Sequence, residues 1–257
     1  MTALRVPSRL RFAALLLGLG VGACHHFDPR SYSAPEDLFR AAMREFRGGR
    51  FDKAQVGFQA MTFNVSARDT LAPLARFFLA ESYFGQEDYP TAVREFRRVS
   101  DESPTFRLAP DALLRAGDAY AAQWTKPALD PTSGQTALGT YQELQGRFPD
   151  SPAARLAAVR IRELNEQFAQ KEMETALFYY QRSAYDSAIL YFKDLIATYP
   201  SSSLVTAAYV HLVRSYKAIG WRDEQNTFCE QLRTYYGAFY RQRADVRDLC
   251  GDRSAGR

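Results

Sequence analysis

Histidine and cysteine are scarce, at three of each in 257 residues. Two of the histidines, His25 and His26, are neighbours near the N-terminus and read as linker, because an adjacent pair on a flexible tether is too little to close a metal site. The third, His211, stands alone in the remainder of the chain. No G-x-S-x-G elbow, H-E-x-x-H pair or glycine-rich phosphate loop follows the apolar N-terminal stretch. The closest carboxylates, Asp101-Glu102 and Glu172/Glu174, read as solvated faces or helix caps rather than an acid–base pair. No catalytic residue, metal or cofactor is therefore expected, and the chain reads as a binding protein rather than an enzyme.

Long apolar runs are missing too. Only Phe12 to Ala23 is uncharged and strongly apolar, and its 12 residues are too few to span a bilayer. A charge excess is equally absent. Lys and Arg number 33 against 29 Asp and Glu, but Arg5, Arg9 and Arg11 lie in the first 23 residues, which hold no acid. Setting those three aside leaves 30 basic against 29 acidic groups in residues 24–257, no bulk electrostatic case for binding nucleic acid.

What is present begins with an address. The three arginines form a basic segment, Phe12–Ala23 an apolar one, and Val21-Gly22-Ala23-Cys24 resembles a bacterial lipobox. Residues 1–23 are thus expected to be a lipoprotein signal peptide, with Cys24 receiving the lipid that holds the chain to a membrane. His25, rather than Asp, follows the cysteine, which by resemblance to lipoprotein sorting rules points to the periplasmic face of the outer membrane. Residues 24–35, with Pro29 and Pro35, read as the tether.

Beyond the tether the sequence repeats. Ala54, Ala92, Ala137, Ala188 and Glu224 serve as anchors, and four residues after each stands an aromatic: Phe58, Phe96, Tyr141, Phe192 and Phe228. Seven after the first four are Met61, Val99, Leu144 and Leu195, so three positions share one helical face. Pro104, Pro149 and Pro200 follow as stops. Upstream, Ala42, Ala80 and Ala176 pair with Phe46, Phe84 and Tyr180 on a preceding helix; in the third repeat Ala116 and Tyr120 take those slots once nine residues are inserted. Small residues alternating with aromatics let paired helices approach closely. The spacing resembles the tetratricopeptide repeat and predicts an all-α solenoid of about five helix pairs.

Two irregularities stand out. The loop from Ala121 to Gly134 is long, and long loops are often functional. Ala153 to Arg182 contains no Gly or Pro and exceeds a repeat's need by about 14 residues, or roughly 20 Å of extra helix. That long middle helix divides residues 36–152, repeats 1–3, from residues 153–236, repeats 4–5, leaving 237–257 as a C-terminal tail. In an oxidising compartment Cys229 and Cys250 are candidates for a disulfide closing about 20 residues. The alternative is a buried Cys229 and an unpaired Cys250.

Three stretches carry a closer resemblance: Leu129-Asp-Pro-Thr with Ala137, Tyr141, Leu144 and Phe148-Pro-Asp-Ser-Pro152; Lys171-Glu with Tyr179-Tyr180, Arg182, Tyr185 and Ala188; and Leu195 with Tyr199-Pro200, Leu204 and Ala207. Together they resemble the BamD family of outer-membrane assembly lipoproteins, part of the β-barrel assembly machinery. The resemblance implies that repeats 1–3 bind unfolded outer-membrane β-barrel proteins, for which the matching positions are Phe78, Tyr83, Asp118, Tyr120 and Trp124. It implies that repeats 4–5 dock a BamA-like insertase through Tyr185, Tyr191, Lys193, Arg214 and Arg222. Tyr191 stands where the family leads one to expect a basic residue, with Lys193 two positions on. The alternative is a general periplasmic tetratricopeptide scaffold serving envelope or peptidoglycan machinery; the short segment 28–36 leaves no room for the coiled coil that one such group places before its repeats.

Overall fold

Pro104, Pro149 and Pro200 each stop a helix in the same register. The residue before each is the C-cap, Ser103, Phe148 or Tyr199, at φ −137°, −135° and −123° and ψ 61°, 56° and 57°. Steric conflict with the proline ring drives that residue out of the helical region. Its N–H donates to the carbonyl of Val99, Leu144 or Leu195, the residues seven past the anchors.

The computed structural model describes residues 27–64 and 71–252, which form twelve α-helices and no strand. The lipobox, Cys24 and the adjacent histidines lie outside the described residues. In order the helices are α1 Pro35–Arg47, α2 Phe51–Asn64, α3 Leu71–Gly85, α4 Tyr89–Glu102, α5 Ala109–Ala122, α6 Thr132–Arg147, α7 Pro152–Gln181, α8 Tyr185–Thr198, α9 Val205–Ile219, α10 Arg222–Tyr235, α11 Gly237–Gln242 and α12 Ala244–Leu249. Each of α1–α10 packs on the next in sequence. The pairs α1/α2, α3/α4, α5/α6, α7/α8 and α9/α10 make a tetratricopeptide-repeat solenoid.

The anchor faces form its interior. Ala54, Phe58 and Met61, Ala92 and Phe96, Ala137 and Leu144, and Ala188, Phe192 and Leu195 are fully buried. A fully buried Leu or Phe side chain contributes about 1.5–3 kcal/mol, so these interlocking faces hold the repeats together. Within four of the pairs the turn is a Schellman motif: Arg50, Asp88, Ala184 and Trp221 donate their N–H to the carbonyls of Glu45, Tyr83, Tyr179 and Tyr216. The residue between has positive φ in every case, Gly49 at 70°, Glu87 at 62°, Ser183 at 58° and Gly220 at 80°.

That turn corrects the register of repeat five. In the other three repeats the left-handed residue precedes the anchor by five, and counting five from Gly220 gives Gln225, not Glu224. Burial agrees: Glu224 is exposed, while Cys229 and Leu232, four and seven past Gln225, are buried. Phe228 suggested the earlier register because it is aromatic. It sits at the flank of the buried stripe and stacks on Tyr216 at 5.5 Å.

The 30-residue α7 serves two repeats. Its first half, through Ala153, Ala157 and Leu164, packs with α5 and α6, and its second half, through Ala169, Met173 and Ala176, packs with α8 and α9. Tyr199 touches both clusters and stacks on Phe168 at 6.3 Å, so the core continues across the junction.

The segments expected to be a tether and a tail are both docked where described. Phe27 and Tyr32 pack against the first repeat's core, beside a 3-10 turn at Pro29–Ser31. At the other end Tyr240 of α11 and Val246 of α12 are buried in the repeat-five core.

Candidate binding surfaces

In repeats 1–3 the five residues singled out from the sequence divide by depth. Phe78 wedges between repeats one and two, with ring centroids 5.5 Å from Phe46, 5.8 Å from Phe58 and 5.5 Å from Phe77. Tyr83 and Tyr120 are half-buried, and the Tyr83 hydroxyl accepts a 3.0 Å hydrogen bond from Gln55 Nε2. Both have surface left to offer a ligand.

Trp124 is interior. It is 4% exposed and stacks on Phe168 with ring centroids 4.6 Å apart. Its Cε3 lies 2.3 Å from where a Cβ on Gly134 would stand. Gly134 occupies the position, three before the anchor, that carries Phe51, Tyr89 and Tyr185 in other repeats. The long loop between the repeat's own two helices returns the missing ring, and Lys171 Nζ on α7 fastens it by donating to the Leu129 carbonyl at 3.1 Å.

Asp118 is a junction of polar contacts. Its carboxylate accepts from the Tyr141 hydroxyl at 2.8 Å, from Arg115 Nη1 at 3.1 Å and from Arg160 Nε at 3.2 Å. Arg115 also makes a paired contact with Glu81, Nε to Oε1 at 2.7 Å and Nη2 to Oε2 at 2.9 Å, and lies 3.9 Å over the Phe84 ring. Burial, then the Asp118 charge, push the Tyr141 hydroxyl well above its ordinary pKa, so it remains a donor. This chain of groups ties α3, α5, α6 and α7 together. Sequence reasoning missed Glu81, Arg115 and Arg160; the charge spacings 115/118 and 160/163 were the available signal.

In repeats 4–5, Tyr191 stacks nearly parallel on Tyr179, 5.4 Å away at 7°, and Tyr185 meets Tyr180 edge-on at 5.6 Å. Lys193 and Arg222 are exposed. Arg214 is engaged at 3.5 Å with Asp245 of α12. The exposed apolar residues Phe178, Leu190 and Trp221 of the same region were not anticipated; the Arg182 guanidinium lies 3.5 Å over the Phe178 ring.

Cys229 on α10 and Cys250 after α12 form a disulfide, with Cα atoms 5.6 Å apart. Around it Gln225 Nε2 donates to the Leu249 carbonyl at 2.9 Å, the Tyr240 hydroxyl donates to Asp252 at 2.6 Å, and Arg233 pairs with Asp252 at 2.8 Å. His211 fits between Tyr180 and Phe192, centroids 5.1 and 5.5 Å away. Burial, then the neighbouring Arg214 charge, hold its imidazole below the ordinary range. Among the described residues no group of three or more His, Cys, Asp or Glu could hold a metal ion.

Stacked helical hairpins of this kind define a tetratricopeptide-type solenoid, a class that acts through the surfaces its repeats present. Within that class the chain belongs to the YfiO family, described as outer membrane lipoprotein, which matches residues 32–232. Its relatives carry the name outer membrane protein assembly factor BamD. The one from Vibrio cholerae is 23% identical over 67% of this chain and 80% of its own length. The one from Rickettsia prowazekii is 22% identical over 88% and 90%. That of Xylella fastidiosa strain 9a5c reaches 32%, over only 35% of this chain and 31% of its own. Among solved structures, the chain is similar to the TPR2AB domain of yeast Sti1 in its pHSP90 complex, at 13% identity, 83% of each chain and a TM-score of 0.43.

Proposed function

We propose that the chain is a lipid-anchored, non-catalytic subunit of the outer-membrane β-barrel assembly machinery. Cys24 carries the lipid and holds the solenoid at the periplasmic face of the outer membrane. Repeats 1–3 receive unfolded β-barrel proteins, and repeats 4–5 dock a BamA-like insertase. The observation that carries this reading is the family match over residues 32–232, which takes in all five helix pairs up to Leu232. A shared α7 joining two aromatic-rich lobes supports it, because contacts at one lobe are held at a fixed distance from the other.

Within that reading the residues have unequal parts. Tyr83 and Tyr120 offer half-exposed rings to an extended strand, whose aromatic side chains suit such a surface. Phe78, Asp118 and Trp124 act from behind, holding the helices that present those rings. Lys193 and Arg222 are exposed cations of the second lobe, Lys193 sharing α8 with Tyr185 and Tyr191, while Arg214 is committed to Asp245.

Pull-down of tagged protein from detergent-solubilised outer membranes, read by mass spectrometry, tests this. Near-stoichiometric recovery of a BamA-like barrel is expected, reduced by Arg222→Glu with the fold intact. Recovery of peptidoglycan synthases without that barrel overturns the proposal in favour of a general envelope scaffold.

A further inference from the structure

The described structure begins at Phe27, and Phe27 is already docked. Its ring stacks on Tyr32 at 5.9 Å and lies over α2 at Gly57, where a Cβ would stand 2.9 Å from Phe27 Cε1 and 2.7 Å from the Ala42 Cβ. Only a glycine lets the segment lie this close. Three peptide units separate Cys24 from Phe27, a reach of about 10 Å at full extension. A lipid on Cys24 therefore holds the first repeat against the membrane instead of on a long leash.

The side of α2 that this segment crosses is open, and Val56, Ala60 and Phe63 supply its apolar part beside the exposed Gln59. A groove of about 600 Å³ runs between Asp28–Pro35 and α2, with Leu38 at its base and Val56, Ala60 and Phe63 along one wall. Val56 is 44% and Phe63 80% exposed, and both sit on the helix face facing the groove. Asp28 and Arg30 on the rim carry opposite charges, so the patch has no net charge of its own.

We propose that this rim is a membrane-interfacial contact: Phe63 and Val56 enter the headgroup–acyl boundary of the leaflet that holds Cys24. The inference rests on the lipidation of Cys24 proposed above. The occupant follows from the leash. One wall of the groove, Asp28–Pro35, begins four residues after the anchor, so the groove and the α2 side chains across it meet lipid as soon as the acyl chains insert, before any soluble partner arrives. An exposed aromatic side chain at that depth removes its apolar ring from water without burying a charge. The contact fixes the tilt of the solenoid, which a single flexible anchor leaves free.

The test uses the full lipidated protein in vesicles of phosphatidylethanolamine and phosphatidylglycerol. Phe63→Trp places a reporter on the rim, and Leu190→Trp, exposed on repeat four, serves as the distant comparison. Vesicles containing acyl-brominated lipid are expected to lower the emission added by Phe63→Trp on the order of two-fold while leaving that added by Leu190→Trp unchanged. Unchanged Phe63→Trp emission in protein that floats with the vesicles overturns the contact alone. Failure to float, with no acyl mass on Cys24, overturns both the anchor and the contact. A blue shift on adding an extended barrel-strand peptide, without quenching by brominated lipid, overturns the proposal and assigns the groove to peptide.

Discussion

The indole of Trp124 occupies the space that a side chain on Gly134 would need, 2.3 Å from that Cβ position, and stacks from there on Phe168. The two positions are therefore coupled. Trp124→Ala is expected to cost about 3–5 kcal/mol in urea unfolding, the usual range for deleting a buried aromatic. Gly134→Ala alone also destabilises, because the new methyl meets the indole. In the Trp124→Ala background the same change becomes nearly neutral or stabilising, so the double-mutant cycle reads the contact directly. Additive effects would show that Trp124 does not fill the repeat-three gap.

Asp118 is the acceptor shared by Tyr141, Arg115 and Arg160. Asp118→Ala strands a buried hydroxyl and loosens two arginines, with an expected loss of about 1–3 kcal/mol for the stranded group. Asp118→Asn keeps an acceptor for the tyrosine and loses less. If Asp118 instead contacts ligand, the alanine variant lowers peptide affinity with no change in the unfolding midpoint. Measuring both quantities on both variants separates the two roles.

Most of the repeat architecture was legible because it depends on local rules. The anchors Ala54, Ala92, Ala137 and Ala188 sit on faces whose period matches the helix, and the prolines stop helices wherever they stand. Long-range substitutions were not legible. Nothing local to Trp124 says that it replaces a ring missing at Gly134, so the family resemblance alone marked it, as a ligand contact. Asp118 was read, through the family resemblance, as a substrate contact, and its structural partners Tyr141 and Arg160 were hidden because they lie 23 and 42 positions away, on α6 and α7. Repeat five was misplaced by one residue because Phe228 mimics the aromatic slot that Cys229 fills. The docking of Phe27 and of α11–α12 depends on tertiary pockets that no periodicity encodes.

The turn residues Glu87 and Ser183 hold positive φ where Gly49 and Gly220 stand in the equivalent turns. A side chain in the left-handed region costs about 1–2 kcal/mol, partly offset in a glycine by its greater unfolded-state freedom. Ser183→Gly is thus expected to raise the thermal midpoint slightly, by the equivalent of roughly 0.5 kcal/mol or more. A fall in the midpoint would show that the Ser183 side chain contributes more than its backbone costs.

The Cys229–Cys250 disulfide closes a separation of 21 residues, for which the chain-entropy model gives roughly 3 kcal/mol. Cys250→Ser should lower stability by up to that amount and expose the α11–α12 segment to protease before the repeats themselves unfold. The hydrogen bonds of Asp252 with Tyr240 and Arg233 remain, so the segment loosens without detaching. Unaltered protease sensitivity would mean that those polar contacts suffice.

His211 gives the protein a pH dependence whose sign is fixed by its surroundings. It faces the Tyr180 and Phe192 rings and shares a small cavity with Arg214 of its own helix and Arg243 from the C-terminal segment. Burial, then Arg214, lower its pKa in the folded state, so the unfolded chain takes the proton first. Stability from the neutral imidazole is complete above about 6.5, the unfolded value, and is lost as pH falls from there toward the folded value. Asp245, whose Arg243 partner holds it at about 2, and Asp252, lowered by Tyr240 and Arg233, act in the opposite pH region: their stabilisation is present above about 4 and fades only below it. The urea midpoint is therefore expected to drop between pH 7 and 5.5, and His211→Phe should flatten that drop while leaving the loss below pH 4 in place. An unchanged slope in the variant would show that some other group carries the acid sensitivity of the second lobe.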